Sequence, residues 1–432
     1  MKMANMDDYF DVVIVGTGAA GLYCALNLPA RYRILLLTKQ KADESDSFLA
    51  QGGICMQHGE ADYRPFFDDT MRAGHYENNP ATVDLMIRSS NSIIRDLVRR
   101  GVRFARDDHG ALRFTREGAH SRPRILFHED ITGHEITQTL LNEVLRCENI
   151  ELCEHTTLLD FFADASACGG VIAAGPDGEP RAIGAGAVVL ACGGIGGLYK
   201  NSTNFPHITG DAIAMALRHG VACEHLDYIQ IHPTTLYSHR KGRRFLISES
   251  VRGEGALLLD KNGDRFTNEL QPRDVVSAAI RAQMEKDGTD HVWEDMRPIG
   301  EAAIREHFPN ILERCEEEGY DPIHEPIPVV PAQHYFMGGI TADLSSRTAL
   351  PRLYACGETC CNGVHGRNRL ASNSLLESLV FAQRAADDIL YGEPPVFTGD
   401  KPDLAPYREQ EPLFAAYRQE VLTAIERSKN HE

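Results

Sequence analysis

The segment Gly16-Thr17-Gly18-Ala19-Ala20-Gly21 constrains the fold more than any other part of this chain. It follows at once on the apolar run Asp11-Val12-Val13-Ile14-Val15, and it opens a helical pattern reaching to about Leu28. A second apolar run, Tyr32 to Thr38, reads as the next strand. Strand, glycine-rich turn, helix and strand in this order form the βαβ opening of a dinucleotide site. The glycines permit a tight turn and let a pyrophosphate approach the helix start, where backbone N–H groups and the helix dipole favour an anion. Gly16, Gly18, Ala19, Ala20 and Gly21 are therefore candidate cofactor contacts. An acidic residue normally ends the second strand to bind a ribose hydroxyl, but Thr38 and Lys39 stand there instead. That argues against a simple NAD site.

Two later segments have the same character. Ala187-Val188-Val189-Leu190-Ala191-Cys192-Gly193-Gly194 reads as a strand entering a glycine-rich turn, and Leu353-Tyr354-Ala355-Cys356-Gly357-Glu358 as a strand ending in Gly-Glu. The intervening stretch differs, with charge-rich helical patterns near 273–286 and 299–318. The order implies an α/β cofactor domain interrupted by an insertion at roughly 226–334, with the proline-rich stretch Pro322 to Pro331 bringing the chain back. After Leu390 the sequence turns polar, then gives one amphipathic helix from about Leu413 to Arg427.

At 432 residues, the chain is long enough for two or three domains. A net charge of -18 disfavours nucleic acid and anionic membrane as partners, although a basic pocket within it can still take an anionic substrate. No run is long enough to span a bilayer. Asp7, Asp8 and Asp11 flank the first apolar run, which is wrong for a secretory signal, so a cytoplasmic protein is expected. The 11 cysteines follow no framework of spacings and read as reduced thiols. Cys356, Cys360 and Cys361 lack the partners of a zinc site, so no metal is expected.

The segment His365 to Glu377 places Arg367 and Arg369 just before Ala371-Ser372-Asn373-Ser374, which runs into an apolar helical pattern. Ser and Asn are favoured where a helix begins, because their side chains satisfy free N–H groups. Such a helix start can offer donors to a cofactor, while Arg369 grips a carboxylate in bidentate fashion. Taken alone, the same residues also fit an ordinary capped helix with solvated arginines.

Together these segments resemble the succinate dehydrogenase/fumarate reductase flavoprotein family over about Asp11 to Val380. The likeness rests on Gly16 to Gly21, Ala50-Gln51-Gly52-Gly53, Thr209-Gly210-Asp211, His232-Pro233-Thr234, Ser248-Glu249 with Arg252 to Gly255, His334-Tyr335 with Gly338-Gly339, and the segment at 365–377. The resemblance implies a Rossmann-like FAD-binding domain (1–225 and 335–390), an inserted α+β capping domain (226–334) and a short, truncated helical C-terminus (391–432). FAD contacts are then expected at Gly16, Gly18, Ala19, Ala20, Gly21, Thr38, Lys39, Ser45, Ala50, Gln51, Gly52, Gly53, Asp211 and Glu358. Ser374 and Leu375 are expected at the isoalloxazine. Succinate dehydrogenases carry a flavin-bonded histidine where this chain has Asp46, so the FAD is expected to be non-covalent.

Thr115-Arg116-Glu117-Gly118-Ala119-His120-Ser121 resembles the loop of the family's aspartate-oxidising members, whose glutamate meets the substrate amine. A carboxylate opposite an ammonium has a direct rationale, because succinate offers nothing for it to pair with. Without that likeness Glu117 reads as a surface glutamate. The resemblance puts His232 and Ser248 at one substrate carboxylate, His334 and Arg369 at the other. It makes Arg273 a proton-transferring arginine relayed through Glu249 and Arg252, where Arg273 alone would pair with Asp274. The implied activity is FAD-dependent oxidation of L-aspartate to iminoaspartate, with reoxidation by oxygen or fumarate. That is the first step of de novo NAD biosynthesis through quinolinate, coupled to quinolinate synthase. The alternatives are a soluble fumarate reductase or succinate dehydrogenase flavoprotein subunit, and a flavin-binding protein without catalysis.

Overall fold

In the computed structural model, which describes residues 9–239, 242–392 and 397–430, the first strand is Phe10–Val15. Asp7 and Asp8 lie outside the described residues. The strand sits in the middle of a seven-stranded sheet. It pairs in parallel with Ile34–Leu37 on one side, Val12 opposite Ile34, and with Pro180–Leu190 on the other, Val12 opposite Ala187. Ile150–Cys153 and Leu353–Ala355 extend the parallel part, and Cys168–Ala174 and Thr157–Ala163 add an antiparallel edge. Alternate side chains enter opposite cores. Val12 and Ile14 pack beneath the helices Ala19–Asn27, Pro80–Arg100 and Asn373–Tyr391, while Val13 and Val15 pack with Asp211–Arg218 and the last helix. A sheet buried on both faces explains why its strands read as unbroken apolar runs.

Two glycines of the opening turn are required by close approach. A Cβ on Gly16 would lie 2.0 Å from Ala191 O, and one on Gly21 would lie 1.9 Å from Gly16 O. Gly21 thus seats the helix on the strand.

A second sheet, wholly antiparallel, runs in the order Ile229–Leu236, Ile327–Phe336, Val292–Asp295, Leu257–Leu259. It has its own core, formed by Leu258, Val276, Ile280, Val292, Ile304, Phe308, Ile327 and Val329. The stretch Pro322 to Pro331, expected only as a return, enters a central strand of this sheet. The ladder skips from His232 opposite Ala332 to Thr235 opposite Val330, and both Pro233 and Pro331 fall in that bulge, where no ladder donor is needed. The helical pattern at 299–318 is two helices, Glu301–His307 and Pro309–Glu317, because Pro309 can start a helix but not continue one. The last helix spans Gln410–Lys429 and buries Tyr417, Val421 and Ile425 in the core shared with Val13 and Leu190. Among the described residues, no helix is long and apolar enough to cross a membrane.

Candidate active site

A continuous cleft of about 1690 Å³, its open mouth included, runs from the glycine turn, past the carboxyl ends of the parallel strands, to the antiparallel sheet. Its first end is built from backbone. Gly16, Thr17 and Gly18 line it, and no side chain caps the Ala19–Asn27 helix, although Ser47 Oγ accepts from Ala19 N at 3.0 Å. Thr38, Lys39, Ser45, Ala20, Ala50, Gln51, Gly52 and Gly53 all line the cleft, whereas Ala19 and Gly21 lie behind it as packing residues. Ser45 Oγ and Gln51 Oε1 are buried with no partner among the described residues, as groups reserved for a ligand would be. Asp211 also lines the cleft, paired with Lys39 at 2.7 Å and accepting from Thr209 Oγ1 at 2.7 Å. Glu358 accepts from Phe336 N at 2.9 Å, and burial holds its carboxyl well above the usual range. It stands where a Cβ on Gly194 would meet it at 2.4 Å. A cradle of bare backbone with unpartnered donors and acceptors along its length fits FAD.

The other end of the cleft is ionic. Glu117, Ser248, Glu249, Arg273, His334 and Arg369 line it. Glu117 is 3% exposed, so it is not a surface glutamate. Ser372 Oγ donates to it at 2.6 Å and Ser250 Oγ at 2.9 Å. Burial raises its pKa, and the neighbouring Glu249 charge adds to this. Arg273 donates from Nε to Glu249 at 2.7 Å and from Nη1 to Gln230 Oε1 at 2.9 Å. Its neighbour Asp274 faces outward to His75 instead, at 2.9 Å. Arg252 is fully buried behind Glu249, 2.9 Å from its second oxygen. Burial alone would raise Glu249, but Arg252 and Arg273 outweigh it and hold the carboxyl below its usual range.

Arg369 crosses the Tyr335 ring at 4.3 Å and donates to Ser374 Oγ at 3.0 Å. Burial and the nearby Arg273 charge push its pKa down to about 10. His334 bonds Thr203 Oγ1 through Nδ1 at 2.8 Å. His232 does not line the cleft; its ring stands edge-on behind His334 at 5.1 Å, with Nε2 unpartnered and 3.8 Å from Glu249. Burial and Arg273 drive both histidines well below their ordinary pKa, so both are neutral. Ser248 both lines the cleft and caps the Glu249–Gly253 helix, accepting from Ser250 N at 3.2 Å.

The helix start near the end of the chain differs from expectation. Ser372 occupies the N-cap with φ of 61° and caps nothing. Its hydroxyl binds Glu117 and accepts from Gly53 N at 3.2 Å. The leading amides of that helix are left without a side-chain partner beside Leu375, which also lines the cleft. Gln230, Ser250, Thr203 and Tyr335 were not anticipated as site residues. Gln230 shares a strand face with His232, two residues on, and that spacing was the available signal. Tyr335 adjoins His334 within the same motif.

The FAD binding domain family matches residues 11–375. L-aspartate oxidase of Clostridium perfringens (strain 13 / Type A) is 48% identical over 380 residues, covering 88% of this chain and 86% of that protein. The chain belongs to the L-aspartate oxidase family. L-aspartate oxidase of Clostridium acetobutylicum is 47% identical over 380 residues, covering 88% of this chain and 87% of that protein. Among solved structures, an E. coli quinol fumarate reductase has a TM-score of 0.83 at 30% identity, over 95% of this chain and 74% of that one. The shared fold accounts for the FAD cradle.

Proposed function

We propose that this chain oxidises L-aspartate to iminoaspartate in an FAD-dependent reaction, the first step of quinolinate and NAD formation. The observation that carries this reading is Glu117: a buried carboxylate, held by two serine hydroxyls, within a cleft that also presents Arg273 and Arg369. An amino dicarboxylate needs an anionic partner for its ammonium and cationic partners for its carboxylates. Arg369, fixed by the Tyr335 ring and assisted by neutral His334, grips one carboxylate. Ser248 grips the other, with His232 as its neutral neighbour. Glu117 orients the ammonium. Holding three groups at once presents the Cα–H bond in one orientation, an effect worth several kcal/mol of barrier in well-oriented reactions.

FAD, when bound, supplies the two-electron acceptor for the Cα hydride. As the C=N bond forms, the ammonium loses a proton. Arg273, Glu249 and Arg252 form the proton route, with Glu249 kept anionic between two guanidiniums so that it can take up a proton one of them passes on. A guanidinium has no acceptor of its own, so Arg273 would take the substrate proton only as it hands one of its own to Glu249, which is why the relay is needed. FAD is held without a covalent link: the carboxylate of Asp46, which accepts from Phe205 N at 2.9 Å, stands where a nucleophilic imidazole is absent. The residues at 226–334 cap the cleft over the discontinuous cofactor domain. Oxygen or fumarate serves as oxidant, quinolinate synthase takes the product, and the cytoplasm is the site of action.

The test is anaerobic mixing of the FAD-loaded protein with L-aspartate or succinate, following the flavin absorbance. Bleaching by L-aspartate is expected. Bleaching by succinate but not by L-aspartate would move the chain to the dicarboxylate oxidoreductases.

A further inference from the structure

We infer that His120, which touches neither substrate nor cofactor, is the positioning residue that holds the Glu117 loop in register with the flavin-facing helix start. The inference rests on the amine role of Glu117. His120 is buried, three residues beyond Glu117, and bonds two groups of opposite kind. Its Nε2 lies 3.0 Å from Ala371 O, and its Nδ1 lies 2.8 Å from Arg124 Nη1. A carbonyl can only accept and a guanidinium can only donate, so the ring is neutral with its proton on Nε2. Burial and the Arg124 charge push its pKa down to about 4, which keeps it so.

Each end of this bridge is anchored. Arg124, fully buried, donates to Asp62 at 3.0 Å and to Asp69 at 2.8 Å. Asp69 also takes the amide and hydroxyl of Ser121, at 2.7 and 2.6 Å. Ala371 precedes Ser372, whose hydroxyl binds Glu117 itself. Between the two anchors Ala119 is held at φ of 65°, a left-handed conformation that costs an alanine energy and persists only where its surroundings impose it. Its amide donates to Leu270 O at 3.1 Å, and its carbonyl accepts from Arg72 at 3.2 Å. The loop thus closes a ring from Glu117 through His120, Ala371 and Ser372 back to Glu117. Within that ring His120 both accepts from Arg124 and donates to Ala371, whose carbonyl also takes the Cys55 thiol at 3.6 Å.

The experiment compares His120→Leu, His120→Asn and His120→Gln, measuring KM and kcat for L-aspartate oxidation and for fumarate reduction, and FAD affinity by fluorescence titration of the apoprotein. Leu makes neither bond; Asn reaches Arg124 but not Ala371; Gln carries both a donor and an acceptor. For Leu and Asn we expect KM for L-aspartate to rise about tenfold or more, while fumarate KM and FAD affinity stay within about threefold. Gln should recover most of the loss. If His120→Leu does not fold, the contrast between Asn and Gln carries the same test. Parallel losses for both substrates, or loss of FAD, would reduce His120 to a core histidine. Glu117→Gln is measured alongside. If that change is selective for aspartate and the His120 changes are not, this inference falls and the amine reading stands. If Glu117→Gln is itself unselective, the amine reading falls.

Discussion

Glu117→Gln separates charge from shape at the residue on which the substrate assignment depends. The replacement has the same volume, and Gln can still accept from Ser372 through Oε1. Its amide can donate to Ser250 Oγ, which need only turn its own proton away. The geometry of the pair of serines therefore survives, and what disappears is one negative charge opposite the substrate ammonium. A hydrogen bond to a charged group contributes about 1.5–3 kcal/mol. At about 1.4 kcal/mol per tenfold, KM for L-aspartate should rise roughly 10- to 100-fold. Fumarate has no ammonium, and its two carboxylates are repelled by Glu117, so its KM should stay level or fall. Steady-state oxidation of L-aspartate and reduction of fumarate on one preparation give both numbers. Because burial raises the Glu117 pKa, wild-type KM for L-aspartate should climb as pH falls towards that value, a limb the Gln variant lacks. Equal losses on both substrates, or an unchanged acid limb, would refute the role.

Arg273→Leu should leave FAD bound with an ordinary flavin spectrum and lower turnover at least about 10³-fold, the scale of losing a general acid–base group; retained turnover removes Arg273 from the proton route. Gly16→Ala should abolish FAD binding in apoprotein titrations, since its Cβ would sit 2.0 Å from Ala191 O in backbone that cannot yield. Glu294 is buried with neither oxygen partnered among the described residues, and burial pushes its pKa from 4.5 up to about 8. The unfolded chain therefore releases this proton near pH 4.5 while the folded chain keeps it to about 8, so stability declines as pH rises between those values. Glu294→Met, of similar volume, should match wild type in thermal midpoint near pH 4 and exceed it increasingly towards pH 8. The gain reaches about 3 kcal/mol at pH 7. A constant offset across pH would show that packing, not ionisation, sets the difference.

The parts of the molecule readable along the chain are those whose signal is local. The βαβ opening announces itself because strand, turn and helix lie in one short stretch, and Gly21 is demanded by contact with Gly16 in its own turn, although what demands Gly16 is Ala191 at the end of the neighbouring strand. The strands 187–190 and 353–355 are legible as unbroken apolar runs because both sheet faces are covered. What could not be read is settled by distant partners. Pro328 and Pro331 argue against a central strand; the bulge opposite Pro233 makes room for Pro331, while Pro328 stays in the ladder opposite Trp293. Ser372 has the composition of a cap, yet its hydroxyl is taken by Glu117, 255 residues earlier in the chain. The strand-end acid is absent from its usual place, and Lys39 there pairs with Asp211 across 172 residues. Gln230, which joins Arg273 to Asn368 and the Arg369 backbone, carries no chemistry of its own and is defined only by what it bonds.

Charge on the substrate side of the cleft bears on the choice between amino and plain dicarboxylates. Arg252, Arg273 and Arg369 supply three positive charges there. Glu117 and Glu249 supply two negative ones, His232 and His334 are neutral, and burial holds the Glu358 carboxyl well above its usual range. Within this cluster the balance is one positive charge in a buried, low-dielectric site, while Arg243, also on the cleft wall, has Asp46 as its neighbour. L-aspartate, with two carboxylates and one ammonium, carries one negative charge and leaves the filled site neutral. Succinate or fumarate carries two and leaves it negative, a state that burial penalises. A chain of net charge -18 thus binds an anion by enclosing a small cationic excess, and the size of that excess matches one substrate class. Removing the Glu117 charge raises the excess to two, which fits fumarate instead. The same substitution that weakens L-aspartate should therefore shift the enzyme towards the dicarboxylates of its fold relatives, and a Glu117→Gln variant that gained nothing on fumarate would show that local contacts, not this balance, select the substrate.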